Sequence, residues 1–296
     1  MYNNLFMLLT KKRFLPLFLT QFFGAFNDNF LRNALIVLIT FKIAASKLPA
    51  DPKILTSIAS SLLVAPYIVF SSLAGELADK FERSRLMLCT KIFEVCIMLV
   101  AAYGFYTGNI SLLLELLFAA GTQATFFSPM KYSVLPEHLH KNELLKGNGL
   151  IESGTFLAIL TGSIAGTLLG NHIDLGSPAT SFYVSGGLIF VAVIGIISCA
   201  FIPIAKPAEP SLNIAKNLLK STSAIIKAIT RQPQIFKAVL FTSWFWLCGS
   251  VFLSLFPGYV KEVLHASTGL YAIYLTTFSV GIAAGAVASS AVFKGE

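Results

Sequence analysis

The sequence is poor in charge: Asp, Glu, Lys and Arg make up only 12% of its 296 residues, about half the share in a soluble domain. Too little polar surface is available to cover a water-soluble core of this length, and the mean hydropathy of +0.76 says the same. Acidic residues are scarcer than basic ones, 14 against 22, giving a formal charge of +8. A nucleic-acid partner is not expected, because such proteins gather their basic residues on one wet face while these punctuate apolar runs. Cysteine is rare. Cys89, Cys96, Cys199 and Cys248 all fall in apolar segments without metal-type spacing, so they read as buried small hydrophobes and neither disulfide nor metal is expected. His138, His140, His172 and His265 lie in or beside loops, and His138 with His140 has no third ligand nearby. No Gly-rich loop precedes a Lys-Ser or Lys-Thr pair, so nothing points to an ATPase. His172-Ile173-Asp174 lacks the His-to-Asp spacing of four typical of an acyltransferase. Neither enzyme chemistry nor a cofactor is indicated.

What the sequence has in abundance is long apolar runs. A helix needs about 20 mostly apolar residues to cross the hydrocarbon, where unpaired backbone groups cost several kcal/mol each. Eight segments qualify: residues 14–41, 54–78, 86–107, 109–130, 148–170, 181–204, 235–260 and 268–293. The first follows Lys11, Lys12 and Arg13 but is too long for a signal peptide and lacks a small-residue cleavage site, so it reads as a retained helix. With the N-terminus in the cytoplasm, 16 of the 22 basic residues fall on the cytoplasmic side and 4 outside, while Arg32 and Lys91 lie within spans. Cytoplasmic loops carry the Lys/Arg excess, which fixes this orientation.

Between the sixth and seventh spans, Pro203, Pro207 and Pro210 open a connector. Leu212, Ala215, Leu218, Leu219, Ile225, Ile226 and Ile229 follow at helical spacing, with Lys216, Lys220, Lys227 and Arg231 on the other face. This predicts a basic amphipathic helix lying in the membrane interface; a solvated linker is the alternative. The division expected is a six-helix bundle over residues 1–204, a linker over 205–234 and two helices of a second bundle over 235–296. That is the plan of a transporter built from two six-helix halves, all-α throughout. On this plan four spans are unaccounted for, and the chain is expected to be a fragment or split-gene product that does not transport alone.

Several polar groups sit at membrane depth. Gln21, Asn27, Asp28, Asn29, Arg32 and Asn33 interrupt the first span and should face the protein interior, since an ionisable group there costs roughly 2.5–3.5 kcal/mol. Asp28 and Arg32, four apart, share a helix face; they form either a self-neutralising pair or part of a cavity wall that meets a cationic headgroup, a coupling ion or a partner helix. Lys91 is expected to snorkel to the nearby cytoplasmic surface, while Glu94 and Glu115 are the buried candidates for a substrate or ion. Pro129 should end or kink the fourth span and present Lys131 at its cytoplasmic end, beside the negative helix terminus. Glu152 suits either a binding role or a helix-start carboxylate. Gly162, Gly166 and Gly170 in the fifth span, and Gly281 and Gly285 in the eighth, recur at every fourth position and allow close helix packing.

The turn Gly75-Glu76-Leu77-Ala78-Asp79-Lys80-Phe81-Glu82-Arg83-Ser84-Arg85 resembles the signature of the major facilitator superfamily, with Glu82 where the pattern has a second glycine. The resemblance assigns Gly75, Asp79, Arg83 and Arg85 to gating. Phe26-Asn27-Asp28-Asn29, Ser128-Pro129-Met130-Lys131-Tyr132 and Asn148-Gly149-Leu150-Ile151-Glu152-Ser153-Gly154-Thr155 extend the likeness to the bacterial lysophospholipid transporter family. What that implies is movement of lysophosphatidylethanolamine and related lysolipids across the inner membrane for reacylation. On the matching positions it nominates Asp28, Lys131, Asn148 and Glu152. It also implies that the glycines of spans five and eight meet between the two halves, and that an acyltransferase is a partner or fused domain. The Gly-Pro pair of drug/proton antiporters is missing from span five, though an antiporter of drugs or metabolites stays open, as does the membrane part of a fused lipid-reacylating enzyme.

Overall fold

The computed structural model describes residues 6–44, 48–174, 178–214 and 218–292. Among these, nine α-helices follow one another: α1 (Leu15–Val37), α2 (Pro52–Lys80), α3 (Arg83–Thr107), α4 (Ile110–His138), α5 (Leu144–Gly170), α6 (Phe182–Ala200), α7 (Leu218–Thr230), α8 (Pro233–Glu262) and α9 (Thr268–Val292). The ends are set by local chemistry. Asp51 caps α2 by accepting from the Lys53 N–H at 2.8 Å, with Pro52 supplying a preset first φ. The α3–α4 turn needs only Gly108 and Asn109: Gly108 takes φ 64°, open to glycine without strain, and the Asn109 side chain accepts from Leu112 N–H at 3.1 Å.

α1 is the central strut. It packs on α4, α5 and α6, while α2 lies on α4 and α3 on α6 and α4. From Leu31 to Val37 its apolar side chains are almost wholly enclosed, as are Leu38 and Ile39 just after it. The outer faces of α2, α3, α6 and α8 carry exposed Ile68, Tyr103, Phe190 and Phe241, as expected where lipid is the solvent. Among the described residues, six helices, α2 to α6 and α8, are long and apolar enough to cross a membrane. Of the eight spans expected, α1 falls outside that group on composition; its polar residues are housed by neighbouring helices rather than by lipid. α9 runs through positions whose side chains lie outside the described residues.

Several boundaries and faces differ from expectation. α4 does not stop at Pro129 but continues through Pro136 to His138. A proline removes a single i→i−4 bond, and the remaining bonds carry the helix on. Cys89 and Cys96 are exposed on the outer face of α3, and only Cys199 is buried. α7 forms within the expected amphipathic stretch, with Leu212 ahead of it and Ala215 and Lys216 outside the described residues. Ile225 and Ile226 are half exposed, so protein does not cover this apolar face. The Ser221 hydroxyl donates to Glu76 at 2.7 Å and ties α7 to α2.

Candidate functional site

The polar residues of α1 meet those of α3 and α4 inside the bundle. Lys91 and Glu94 are each 1% exposed, and Lys91 Nζ lies 2.5 Å from Glu94 Oε2. The carboxylate also accepts from Asn27 Nδ2 at 3.2 Å and Gln123 Nε2 at 3.4 Å, and the ammonium sits 5.0 Å from the Phe127 ring centre. Lys91 therefore does not snorkel: it reaches inward under α1, where Gly24 leaves room for its ammonium. Asp28 lies within electrostatic reach of Lys91, Glu94 and Arg32. It forms no ion pair with Arg32, however, and both Asp28 Oδ1 and Arg32 Nε are buried without a hydrogen-bond partner among the described residues. The self-neutralising pair allowed by the sequence is thus not formed.

A second cluster lies where α4 faces α5. Lys131, 8% exposed, is well inside α4 rather than at its end, and its Nζ is 3.9 Å from Glu152 Oε1. Tyr132 donates its hydroxyl to the same carboxylate. Tyr67 of α2 lies within electrostatic reach of both Asp28 and Tyr132. Asn148 sits one turn before Glu152 on α5, half-buried, with no side-chain hydrogen bond among the described residues. Glu115 is not brought to either cluster. It is exposed, because Leu113, Leu116 and Leu117 take the inner face of that turn of α4.

The α2–α3 turn is a hub. Arg83, only 5% exposed, donates from Nε to Ala78 O at 3.0 Å and from Nη1 to Lys206 O at 3.2 Å and to the Glu137 carboxylate. Its Nη2 is 3.7 Å from Asp79 Oδ1. Glu137 returns the link by accepting from Lys206 N–H at 3.0 Å. Glu82, in place of a glycine, caps α3 by accepting from Ser84 N–H at 3.0 Å and also receives Ala205 N–H at 3.3 Å. The start of the connector is thereby pinned to α2, α3 and α4. The Arg85 side chain is 87% exposed and, among the described residues, pairs only with Glu82. Around Gly75 an added Cβ would meet nothing within 4 Å, so no close helix approach occurs there. Arg83→Gln should lower stability by about 2 kcal/mol, the worth of a partly buried charge-assisted network. Arg85→Gln should stay within about 0.5 kcal/mol. Thermal unfolding in detergent compares the two, and equal shifts would remove Arg83 from its place as the keystone.

At the opposite end, α8 and α9 are bolted to the first six helices. Tyr271 OH donates to Asn33 Oδ1 at 3.0 Å, and Asn33 Nδ2 to Ser163 Oγ at 3.0 Å, all buried. Lys53 pairs with Glu262 at 2.5 Å, Thr268 donates to Asn171 at 3.0 Å, and Lys261 reaches the Thr40 carbonyl. The glycine stripe of α5 lies elsewhere: Cβ atoms at Gly162 and Gly166 would run into the Phe26 and Phe30 carbonyls of α1. Those glycines thus serve packing inside the first bundle rather than between halves. Gly281 has open space around it, and the surroundings of Gly285 lie outside the described residues.

Residues 17–295 of this bundle match the Major Facilitator Superfamily. The chain belongs to that superfamily. As a Major Facilitator Superfamily member it is an all-α, multi-pass membrane protein. It is similar to the lysophospholipid transporter LplT of Escherichia coli O139:H28 and to LplT of Shigella boydii serotype 18. Each is 29% identical over 274 residues, or 91% of this chain and 64% of theirs. The chain therefore spans less than two thirds of the length of these relatives.

Sequence reasoning missed Gln123, Tyr132, Glu137 and Tyr271. Gln123 had a usable signal, a lone amide in an apolar span. Glu137 was hidden once Pro129 was taken as the end of its helix, and Tyr271 has no signature in a single sequence.

Proposed function

We propose that this chain serves in a secondary transporter that moves lysophospholipids across the bacterial inner membrane, delivering them to an acyltransferase. The observation that carries the reading is the Lys131–Glu152 pair. At 3.9 Å it is long for an ion pair, and Glu152 also holds the Tyr132 hydroxyl. A zwitterionic headgroup has the complement of both: its phosphate takes the Lys131 ammonium, and its amine takes the Glu152 carboxylate and the Tyr132 ring. The single acyl chain lies against apolar helix faces. Likeness to proteins named as lysophospholipid transporters supports the same substrate class.

In this reading Asp28, Arg32 and Asn148 line the path, the Lys91–Glu94 pair supports Asp28 from behind, and the N-terminus is cytoplasmic. Residues 1–204 move as one bundle against the bundle that begins at 235, with 205–234 as the linker. The bolts at Tyr271 and Lys53 then close the periplasmic side and must part during each cycle. Uptake of labelled lysophosphatidylethanolamine into spheroplasts, with and without the gene, is the test. Lys131→Gln and Glu152→Gln should each slow uptake about tenfold or more, the worth of one charge-assisted hydrogen bond. Equal uptake with and without the gene would end the proposal.

A further inference from the structure

Away from the Lys131 and Lys91 clusters, a cavity of about 410 Å³ opens where α1 and α5 begin. Its wall brings together Met7, Lys11, Arg13, His140, Glu143 and Lys146. Sequence and local folding explain the shape. Residues Phe6–Thr10 form a short 3₁₀ helix ahead of α1, and Leu8, only 3% exposed, anchors it in the apolar cluster that also holds Leu135 of α4 and Leu139 just after it. That leaves Met7 half exposed at the rim.

The charges are unevenly satisfied. Arg13 donates to both Glu143 oxygens, at 2.8 and 2.9 Å, and to the His138 carbonyl at 3.2 Å. The backbone N–H of His140 binds the same carboxylate at 3.0 Å, and with Arg13 it holds Glu143 below the usual carboxylate range, so the acid stays ionised and fully engaged. Lys11 and Lys146 have no ion pair among the described residues. Among the described residues, two ammonium groups without a counter-charge therefore share one cavity whose only acid is already neutralised. The first turns of α1 and α5 add the positive ends of two helix dipoles.

Position identifies the source of the missing anion. α5, which begins at Leu144, is long and apolar enough to cross a membrane, and the cavity lies at its first turn, level with the headgroup layer rather than the hydrocarbon or bulk water. Basic pockets between transmembrane helices at this depth suit lipid headgroups, and the exposed Met7 offers an apolar rim for an acyl chain. We propose that this cavity is a binding site for the phosphodiester of an anionic membrane phospholipid, held by Lys11 and Lys146 and separate from the transport path. The lipid fastens the 3₁₀ turn and the starts of α1 and α5 to the membrane surface.

The purified chain, taken from vesicles of phosphatidylcholine and phosphatidylglycerol in equal parts, can be examined by native mass spectrometry for retained lipid. Phosphatidylglycerol should be retained in preference to phosphatidylcholine. Lys11→Gln with Lys146→Gln should weaken that retention roughly 30-fold, as expected for two basic groups at an anionic surface. The paired arginine variant should keep it. Should the paired glutamine variant fail to fold, Lys11→Gln alone, at an exposed position, should still show roughly a fivefold loss. Unchanged retention in the glutamine variants would overturn the site. So would equal retention of both lipids, or inorganic phosphate binding at the cavity in place of lipid, which would assign it to a soluble anion.

Discussion

Replacing Lys91 with methionine should destabilise the folded chain by about 3–5 kcal/mol, the penalty for leaving one member of a buried ion pair alone. Glu94 is 1% exposed and would keep only the amides of Asn27, at 3.2 Å, and Gln123, at 3.4 Å. Neither supplies a charge. Glu94→Gln should cost a similar amount, because the Lys91 ammonium would be left with the Phe127 ring 5.0 Å away and no anion in direct contact. The double variant removes both charges, leaves a neutral amide beside Asn27 and Gln123, and should recover to within about 1–2 kcal/mol of the parent, since no buried charge is left unpaired. Thermal unfolding of the four proteins in one detergent gives the coupling directly. A double variant as unstable as either single one would show that packing, rather than charge, holds this part of the bundle. The comparison also bears on Asp28, which lies within electrostatic reach of both groups. If the pair supports Asp28 as proposed, the double variant should fold yet transport poorly, separating stability from function.

How much was legible depended on whether depth or direction was in question. Hydropathy locates a residue along the membrane normal but does not say which way it points around its helix. Lys91 and Glu115 were misjudged for that one reason: Lys91 points into the bundle and Glu115 away from it. Spacing does better, within limits. The four-residue interval correctly put Gly162, Gly166 and Gly170 on a single close-packing face, yet it could not name α1 as the neighbour. The same interval put Asp28 and Arg32 on one side of α1, but neighbours on other helices govern where their charged ends go. The amphipathic stretch that became α7 was legible because periodicity and charge coincide there. The α2–α3 turn was legible in part. Arg83 does engage carboxylates and helix C-terminal carbonyls, whereas its chief acid, Glu137, lay beyond a proline that α4 simply runs through.

Gly162→Val should cost about 3 kcal/mol or more, at the upper end of the overpacking range. What a Cβ there would strike is the Phe26 carbonyl, with the Phe26 Cα only 2.9 Å off, and a main chain has no alternative rotamer to adopt. α1 and α5 would have to separate along their length, since a Cβ at Gly166 would likewise strike the Phe30 carbonyl one turn on and a Cβ at Gly170 would come within 3.1 Å of the Ala34 Cα another turn on. Gly75→Ala is the informative contrast, because an added Cβ meets nothing within 4 Å there. Relief of glycine's conformational entropy should then stabilise the chain by roughly 0.5–1 kcal/mol. The two substitutions should therefore shift thermal unfolding in opposite directions, and a shared sign would refute the contact geometry. Gly75→Ala carries a second consequence. If Gly75 serves the gating and lysolipid transport proposed, its space is needed only when the opposite bundle closes on the end of α2, so the variant should be more stable and yet slower in lysolipid uptake. Gly162→Val, by contrast, should lose fold and uptake together.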